Sequence, residues 1–107
     1  MKQANRVGDV IKKESDGVLW SLYLIRLENG HLYTGISTNI KRRFSEHQTG
    51  KGAKYLRGKK NLQLIFSQKI GDRSTALKIE AKIKKLPKPD KEKLISGTIK
   101  LQKLLDL

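Results

Sequence analysis

The chain has 107 residues, which is room for one domain with one modest core. Its formal net charge of +14 points to a polyanionic partner, with nucleic acid the first candidate, although an inert basic protein of the ribosome-associated kind has a similar composition. The absence of cysteine excludes a disulfide framework and a cysteine-based zinc site. No apolar run has the length of a transmembrane helix, and the start of the chain lacks the core of a signal peptide. We therefore expect a soluble cytoplasmic protein that does not enter a membrane.

The two ends of the chain differ in composition from the middle. Residues 1–17 are polar and mixed in charge without a sustained hydrophobic period, so we expect a flexible N-terminal leader there. The folded domain is then expected at residues 18–97. Residues 98–107 are rich in leucine and isoleucine, which predicts a C-terminal amphipathic extension that packs on the body of the chain or on a second subunit.

Two apolar runs flank the turn residues Asn29 and Gly30 and predict a β-hairpin. A two-residue turn would put Tyr23 and Tyr33 on opposite faces of the sheet, because side chains alternate along a strand. A three-residue loop with Gly30 in the left-handed conformation instead pairs Tyr23 with Gly35. Both tyrosines then point from one face, across a glycine that lets a ligand approach the backbone. We favour the three-residue loop.

A basic helix is predicted directly after the second strand, with Asn39 as its N-cap. Its apolar residues recur at helical spacing and mark the buried side. Arg43 and His47 lie four residues apart at the edge of that apolar stripe, whereas Arg42 points to solvent. Of the two adjacent arginines, we therefore expect Arg43 to be aimed inward.

The segment after this helix combines three glycines with many cations, which predicts a loop with little intrinsic order. Lys51, Lys54 and Arg57 surround the aromatic side chain of Tyr55. Cations of this kind track a sugar-phosphate backbone, and an aromatic ring between them can stack on a base. We take these four residues as candidate nucleic-acid contacts; a solvated basic loop without a specific role is the alternative.

A third strand at residues 62–69 is predicted, with Leu62, Leu64 and Phe66 alternating onto one face. The helix that follows begins near Asp72 or Ser74 and is stopped by prolines.

Glu80 falls inside the apolar arc of this last helix. A carboxylate in such a place costs several kcal/mol, on the order of 2–7, unless it is paired or bound to a metal. The two interpretations are a structural ion pair, with Arg43 or a lysine, and a ligand for a hard cation. We favour the cation.

These residues together resemble the GIY-YIG nucleases. The two tripeptides of the family name look like Ser21-Leu22-Tyr23 and Tyr33-Thr34-Gly35, with serine here in place of the first glycine. The family's arginine on the following helix is matched by Arg43, and His47 matches a histidine or tyrosine one helical turn later. A metal-binding glutamate on a later helix is matched by Glu80. The resemblance covers roughly residues 18–95 and is greatest to the small stand-alone bacterial members.

The resemblance implies an α+β fold, with a small three-stranded antiparallel sheet flanked by helices. It also implies a metal-dependent endonuclease that hydrolyses DNA phosphodiester bonds in repair or recombination, with Mg²⁺ or Mn²⁺ on Glu80. Cleavage would be directed by substrate structure or by a partner protein, because the chain carries no appended DNA-binding domain. The implied catalytic residues are Tyr33 as the base, Tyr23 holding water or phosphate, Arg43 gripping the phosphate, and His47 orienting a group or shuttling a proton.

Two other functions fit the same residues. A non-catalytic basic nucleic-acid-binding module on a GIY-YIG scaffold predicts that Glu80 is engaged in a salt bridge with no room for an ion. A dimerising adaptor would use the apolar residues at 98–107. The nuclease hypothesis requires instead that both tyrosines, Arg43, His47 and Glu80 meet in one cleft.

Overall fold

A computed structural model of the protein describes residues 18–105, so the predicted leader at residues 1–17 lies outside the described residues. Three antiparallel strands form one sheet in the order β2-β1-β3. The strands are β1 (Trp20–Arg26), β2 (Leu32–Ser37) and β3 (Gln63–Gly71). The helices are α1 (Ile40–Gln48), α2 (Arg73–Lys84), α3 (Lys88–Ser96) and α4 (Leu101–Leu105), and a short 3-10 turn spans Lys54–Leu56. The predicted α+β fold with a three-stranded antiparallel sheet is confirmed.

The hairpin between β1 and β2 has the three-residue loop. The Leu27 N–H donates to the His31 carbonyl at 2.8 Å, and the Gly30 N–H donates to the Leu27 carbonyl at 2.9 Å. Gly30 has a φ of +91°, the left-handed conformation that a bulge of this kind requires. Tyr23 is consequently paired with Gly35, and the predicted register is confirmed.

Alternation along β1 divides the interior into two clusters, one on each side of the sheet. On the side that we call the core face, Leu22 and Leu24 are fully buried against α2, α3 and α4. On the other side, which we call the site face, Tyr23 and Ile25 are buried against α1 and the segment that precedes β3. Each face therefore has its own apolar cluster, and β1 contributes to both.

The predicted alternation in the third strand is wrong. A bulge in the pairing of β1 with β3 inserts an extra residue at Ile65, so that Ile65 and Phe66 both pack on the core-face cluster. Leu62 packs in the site-face cluster, while Leu64 is 37% exposed. The inserted residue breaks the two-residue period on which the prediction depended.

The C-terminal helices close the core face. Leu101 and Leu104, within the segment predicted as an extension, are buried in the core-face cluster. Arg26 of β1 makes a two-pronged ion pair with Glu92 of α3, with N···O distances of 2.7 and 2.8 Å. Among residues 18–105, no helix has the length and apolar character needed to cross a membrane.

Candidate active site

Three aromatic rings meet on the site face. The ring centroids of Tyr23 and Tyr33 are 6.4 Å apart, and the His47 ring lies 5.8 Å from the first and 5.5 Å from the second. The Tyr23 hydroxyl oxygen is 2.7 Å from His47 Nε2 in a buried hydrogen bond. Tyr23 is 2% exposed and His47 is 1% exposed, so this polar contact is enclosed by protein. The two tyrosines and the histidine that the sequence singled out are therefore brought together.

Gly35 leaves room for the end of the Tyr23 side chain. A Cβ atom built at Gly35 would lie 2.5 Å from the Tyr23 hydroxyl oxygen, closer than any side chain tolerates. We expected this glycine to admit a ligand to the backbone. The space is instead occupied by the Tyr23 hydroxyl, because the register places Tyr23 directly across from Gly35.

Arg43 reaches the same cluster from α1. The helix begins where the Asn39 side chain accepts a hydrogen bond from the Arg42 N–H at 3.0 Å, which is the predicted N-cap. The Arg43 side chain is 37% exposed against 63% for Arg42, so Arg43 is the inward one. It donates to Glu46 at 3.0 Å, and its positive charge acts to lower the pKa of the Tyr23 hydroxyl.

Burial controls the ionisation of the two central groups. It raises the pKa of Tyr23 to about 12, with a further rise from Tyr33 and a partial offset from Arg43. Tyr23 is therefore protonated at neutral pH. Burial also lowers the pKa of His47, and the positive charge of Arg43 lowers it further. The imidazole is therefore held in its neutral form, and His47 is buried more deeply than its predicted place at the stripe edge suggested.

The segment after α1 is anchored on His47. The Ala53 N–H donates to His47 Nδ1 at 3.2 Å, and Gly52 is packed so closely that a Cβ there would clash with the same nitrogen. Leu56 is fully buried in the site-face cluster. The expectation of little intrinsic order is wrong for this part of the loop. Sequence reasoning missed Gly52 and Ala53, because both act through the backbone and not through a side chain.

Tyr55 extends the aromatic group toward solvent. Its ring is stacked on Tyr33 with a centroid distance of 6.4 Å and an interplanar angle of 15°, and 49% of the residue is exposed. Its hydroxyl lies 3.2 Å from His31 Nδ1, and Lys59 Nζ lies 5.4 Å from its centroid. His31 and Lys59 were not among the predicted site residues. The other three predicted contacts, Lys51, Lys54 and Arg57, are exposed.

Glu80 comes from the opposite side of the sheet. Helix α2 packs on the core face through Ile79 and Ile83, while the Glu80 side chain is 17% exposed and lies 3.3 Å from Lys84 Nζ. Its negative charge contributes to the raised pKa of Tyr23. Its ion pair is with a lysine and not with Arg43.

The donor set around Glu80 is sparse. Within the described part of the chain, no three His, Asp or Glu side chains are grouped as a metal site would require. Mg²⁺ keeps most of its water and is commonly held by one or two carboxylates together with substrate phosphates. Because Lys84 is 55% exposed, its side chain can leave the carboxylate at little cost. A single partly buried carboxylate therefore fits an ion that is held mainly by water and substrate.

Known proteins are similar to this chain over most of its length. Residues 19–93 match the family described as the GIY-YIG catalytic domain. A UPF0213 protein of Klebsiella pneumoniae is 52% identical over 88 residues, which is 82% of this chain and 83% of that protein. A UPF0213 protein of Enterobacter sp. is 59% identical over 80 residues, which is 75% of this chain and 78% of that protein.

A solution NMR structure of an E. faecalis protein has 32% sequence identity and a TM-score of 0.54, covering 82% of this chain and 90% of that one. The family match covers both tripeptides and the helices that carry Arg43, His47 and Glu80. GIY-YIG domains are nuclease domains that in general need a metal ion and bind DNA. The chain belongs to the GIY-YIG family.

Proposed function

We propose that the protein is a metal-dependent endonuclease that hydrolyses DNA phosphodiester bonds. The observation that carries the proposal is the convergence of Tyr23, Tyr33, Arg43 and His47, centred on the 2.7 Å contact between Tyr23 and His47. Family membership supplies the reaction class. In our proposal these four residues and Glu80 are the catalytic set.

Phosphodiester hydrolysis needs a base for the attacking water and positive charge at the phosphoryl group. Arg43 supplies a planar fork of donors that suits the scissile phosphate. Tyr33 is the less buried tyrosine and is the proposed base, while Tyr23, with a pKa of about 12, keeps its proton and positions the phosphate. His47 then holds the Tyr23 hydroxyl in place.

Glu80 is the residue that would hold Mg²⁺ or Mn²⁺. When bound there, such an ion supplies positive charge that stabilises the charge developing on the phosphate. The cations at Lys51, Lys54 and Arg57 are proposed to follow the DNA backbone, with Tyr55 against a base. We further propose that cleavage is directed by DNA structure or by a partner protein, and that it serves repair or recombination in the cytoplasm.

One contact favours a second function. The ion pair between Glu80 and Lys84 is what a non-catalytic nucleic-acid-binding module on this scaffold would have. The two functions differ in one respect: only the nuclease needs the Glu80 carboxylate free when DNA is bound.

The test is cleavage of labelled single-stranded, duplex and branched DNAs with Mg²⁺, with Mn²⁺ and with a chelator. We compare wild type with Glu80→Ala and with Glu28→Ala, which removes the same charge from the hairpin loop. We expect metal-dependent cutting by wild type and Glu28→Ala, and at least a ~10²-fold loss in Glu80→Ala with DNA binding retained. Binding without cutting by wild type would favour the non-catalytic module, and full cutting by Glu80→Ala would exclude Glu80 as the ion ligand.

A further inference from the structure

Both ring nitrogens of His47 are engaged, and their two partners are of different kinds. Nδ1 lies 3.2 Å from the backbone nitrogen of Ala53, and Nε2 lies 2.7 Å from the Tyr23 hydroxyl oxygen. A backbone N–H is only a donor, whereas a hydroxyl can donate or accept. The Ala53 contact is therefore the one that decides where the imidazole carries its proton.

We propose that the backbone of Gly52 and Ala53 is a positioning element that fixes the tautomer of His47. Because Nδ1 accepts from the Ala53 N–H, the neutral ring carries its proton on Nε2 and donates it to the Tyr23 oxygen. In the opposite tautomer the proton on Nδ1 would point at the Ala53 N–H, with only 3.2 Å between the two nitrogens, so two donors would face each other. The opposite tautomer, and with it transfer of the Tyr23 proton to His47, is disfavoured by that contact.

The fixed tautomer determines what Tyr23 can do. Its oxygen accepts from His47 Nε2–H, and the positive charge of Arg43 acts on the same hydroxyl. Because the oxygen accepts from His47, the O–H of Tyr23 is not spent on the imidazole and stays available as a donor. Under the proposed function, the acceptor for this O–H would be a phosphate oxygen held by Arg43. This assigns the two tyrosines different roles: Tyr23 a donor to phosphate, Tyr33 free to act as the base.

The sequence of the loop is what lets the backbone reach the ring. Gly52 is buried against the imidazole, and any side chain there would collide with Nδ1. Leu56, fully buried three residues after Ala53, anchors the segment in the site-face cluster. The charged and polar side chains that face His47 are Tyr23 and Tyr33 from the sheet and Arg43 and Glu46 from its own helix. No hydrogen bond joins these four side chains to Nδ1, so within residues 18–105 the Ala53 N–H is the hydrogen-bond partner of that nitrogen.

The tautomer is measured directly by nitrogen-15 NMR of histidine-labelled full-length protein at a pH where both imidazoles are neutral. The chain has two histidines, so His31→Gln assigns the remaining spectrum to His47. We expect one tautomer, with Nε2 protonated and Nδ1 bare. A protonated Nδ1, or a resonance averaged between the two tautomers, would overturn the proposal.

Two changes to the loop test whether the backbone of Gly52 and Ala53 fixes the tautomer of His47. Gly52→Ala forces the backbone away from the ring, and we expect loss of the single-tautomer spectrum while the amide spectrum of the core face persists. An amide-to-ester replacement of the Gly52–Ala53 bond in synthetic protein deletes the N–H alone and covers the case in which Gly52→Ala does not fold. An unchanged tautomer in the ester protein would overturn the role of Ala53.

The role of Tyr23 as a donor to phosphate rests on the proposed nuclease function, but the tautomer does not. The NMR measurement needs neither DNA nor metal, so it can succeed where cleavage fails. A fixed Nε2–H tautomer in a protein that does not cut would leave the positioning element intact and remove only its catalytic consequence.

Discussion

The two faces of the sheet are built from neighbouring residues of one strand, yet they differ in what they bury. Leu22 and Leu24 point to the core face, where the buried cluster consists of aliphatic side chains. Tyr23, between them, points to the site face, where its hydroxyl and the imidazole of His47 are buried with their polar atoms paired. Successive side chains on a strand point in opposite directions, about 3.3 Å apart along the chain, so stability and chemistry are separated residue by residue.

This separation explains why a small domain can hold a buried polar cluster. Polar groups that lose water cost free energy unless they are hydrogen-bonded, and on the site face the Tyr23 hydroxyl and the His47 imidazole bond to each other. The core face carries three helices and no part of the tyrosine and histidine cluster. Substitutions on the two faces are therefore expected to have different consequences.

The largest expected effect comes from substituting adjacent residues of β1. Leu24→Ala should lower the free energy of unfolding by about 2–5 kcal/mol, because it leaves a cavity in the core-face cluster. Tyr23→Phe should cost less, about 1–3 kcal/mol for the hydrogen bond that His47 loses, but should lower DNA cleavage by about 10²-fold. Urea unfolding and single-turnover cleavage measure the two effects.

Leu64→Ala is the matched control for Leu24→Ala. Leu64 lies on β3 and is 37% exposed, so its loss should change the free energy of unfolding by about 1 kcal/mol or less. If Tyr23→Phe destabilised the protein more than Leu24→Ala while cleavage stayed at the wild-type level, the core face would not be the main source of stability and the site face would not be the site of chemistry.

Local patterns predicted much of the fold. The register of the hairpin followed from Gly30 and from strict alternation, and the inward turn of Arg43 followed from the helical period. The bulge at Ile65 was not predicted. Leu64, Ile65 and Phe66 are all apolar, so the sequence pattern does not show which residue is inserted. Each success depended on a local signal, either a turn glycine or a period within one element.

The site was predicted less completely than the fold. The side chains of Tyr23 and His47 could be named from the sequence and from the family resemblance. The contact from Ala53 could not, since it uses a backbone N–H that every residue except proline possesses. The ion pair of Glu80 with Lys84 was readable as a spacing of four residues, but the spacing does not reveal whether an ion replaces the lysine.

A smaller effect is expected at Thr34, which lies in β2 next to the site residue Tyr33. The Thr34 hydroxyl is buried, and no side chain or backbone group within residues 18–105 pairs with it. Thr34→Val removes the unpaired hydroxyl while keeping nearly the same shape, so we expect the free energy of unfolding to rise by about 1 kcal/mol. Thermal unfolding should show a higher midpoint.

Thr34→Ser is the control, because it keeps the hydroxyl and removes only the methyl group. It should destabilise the protein. A lower melting temperature for Thr34→Val than for wild type would mean that the hydroxyl is paired after all, with water or with a bound group.

The smallest expected effects are on the pH dependence of the free energy of unfolding, to which His47 and Glu92 contribute in different pH ranges. His47 on the site face has a lowered pKa, so below its ordinary value of 6.5 the unfolded chain binds a proton that the folded protein does not. Stability from this group is present above that pH and is lost as the pH falls. Glu92 beside Arg26 also has a lowered pKa, and its contribution is lost only below the ordinary glutamate value of 4.5.

Unfolding by urea at a series of pH values resolves these two windows. His47→Gln should flatten the stability profile as the pH falls below about 6.5, whereas Glu92→Gln should flatten it only below about pH 4.5. His31→Gln serves as the control, because His31 is exposed in the hairpin and lies outside the buried pair. If His31→Gln flattened the upper window and His47→Gln did not, the imidazole on the site face would not be the buried neutral group that its contacts with Tyr23 and Ala53 require.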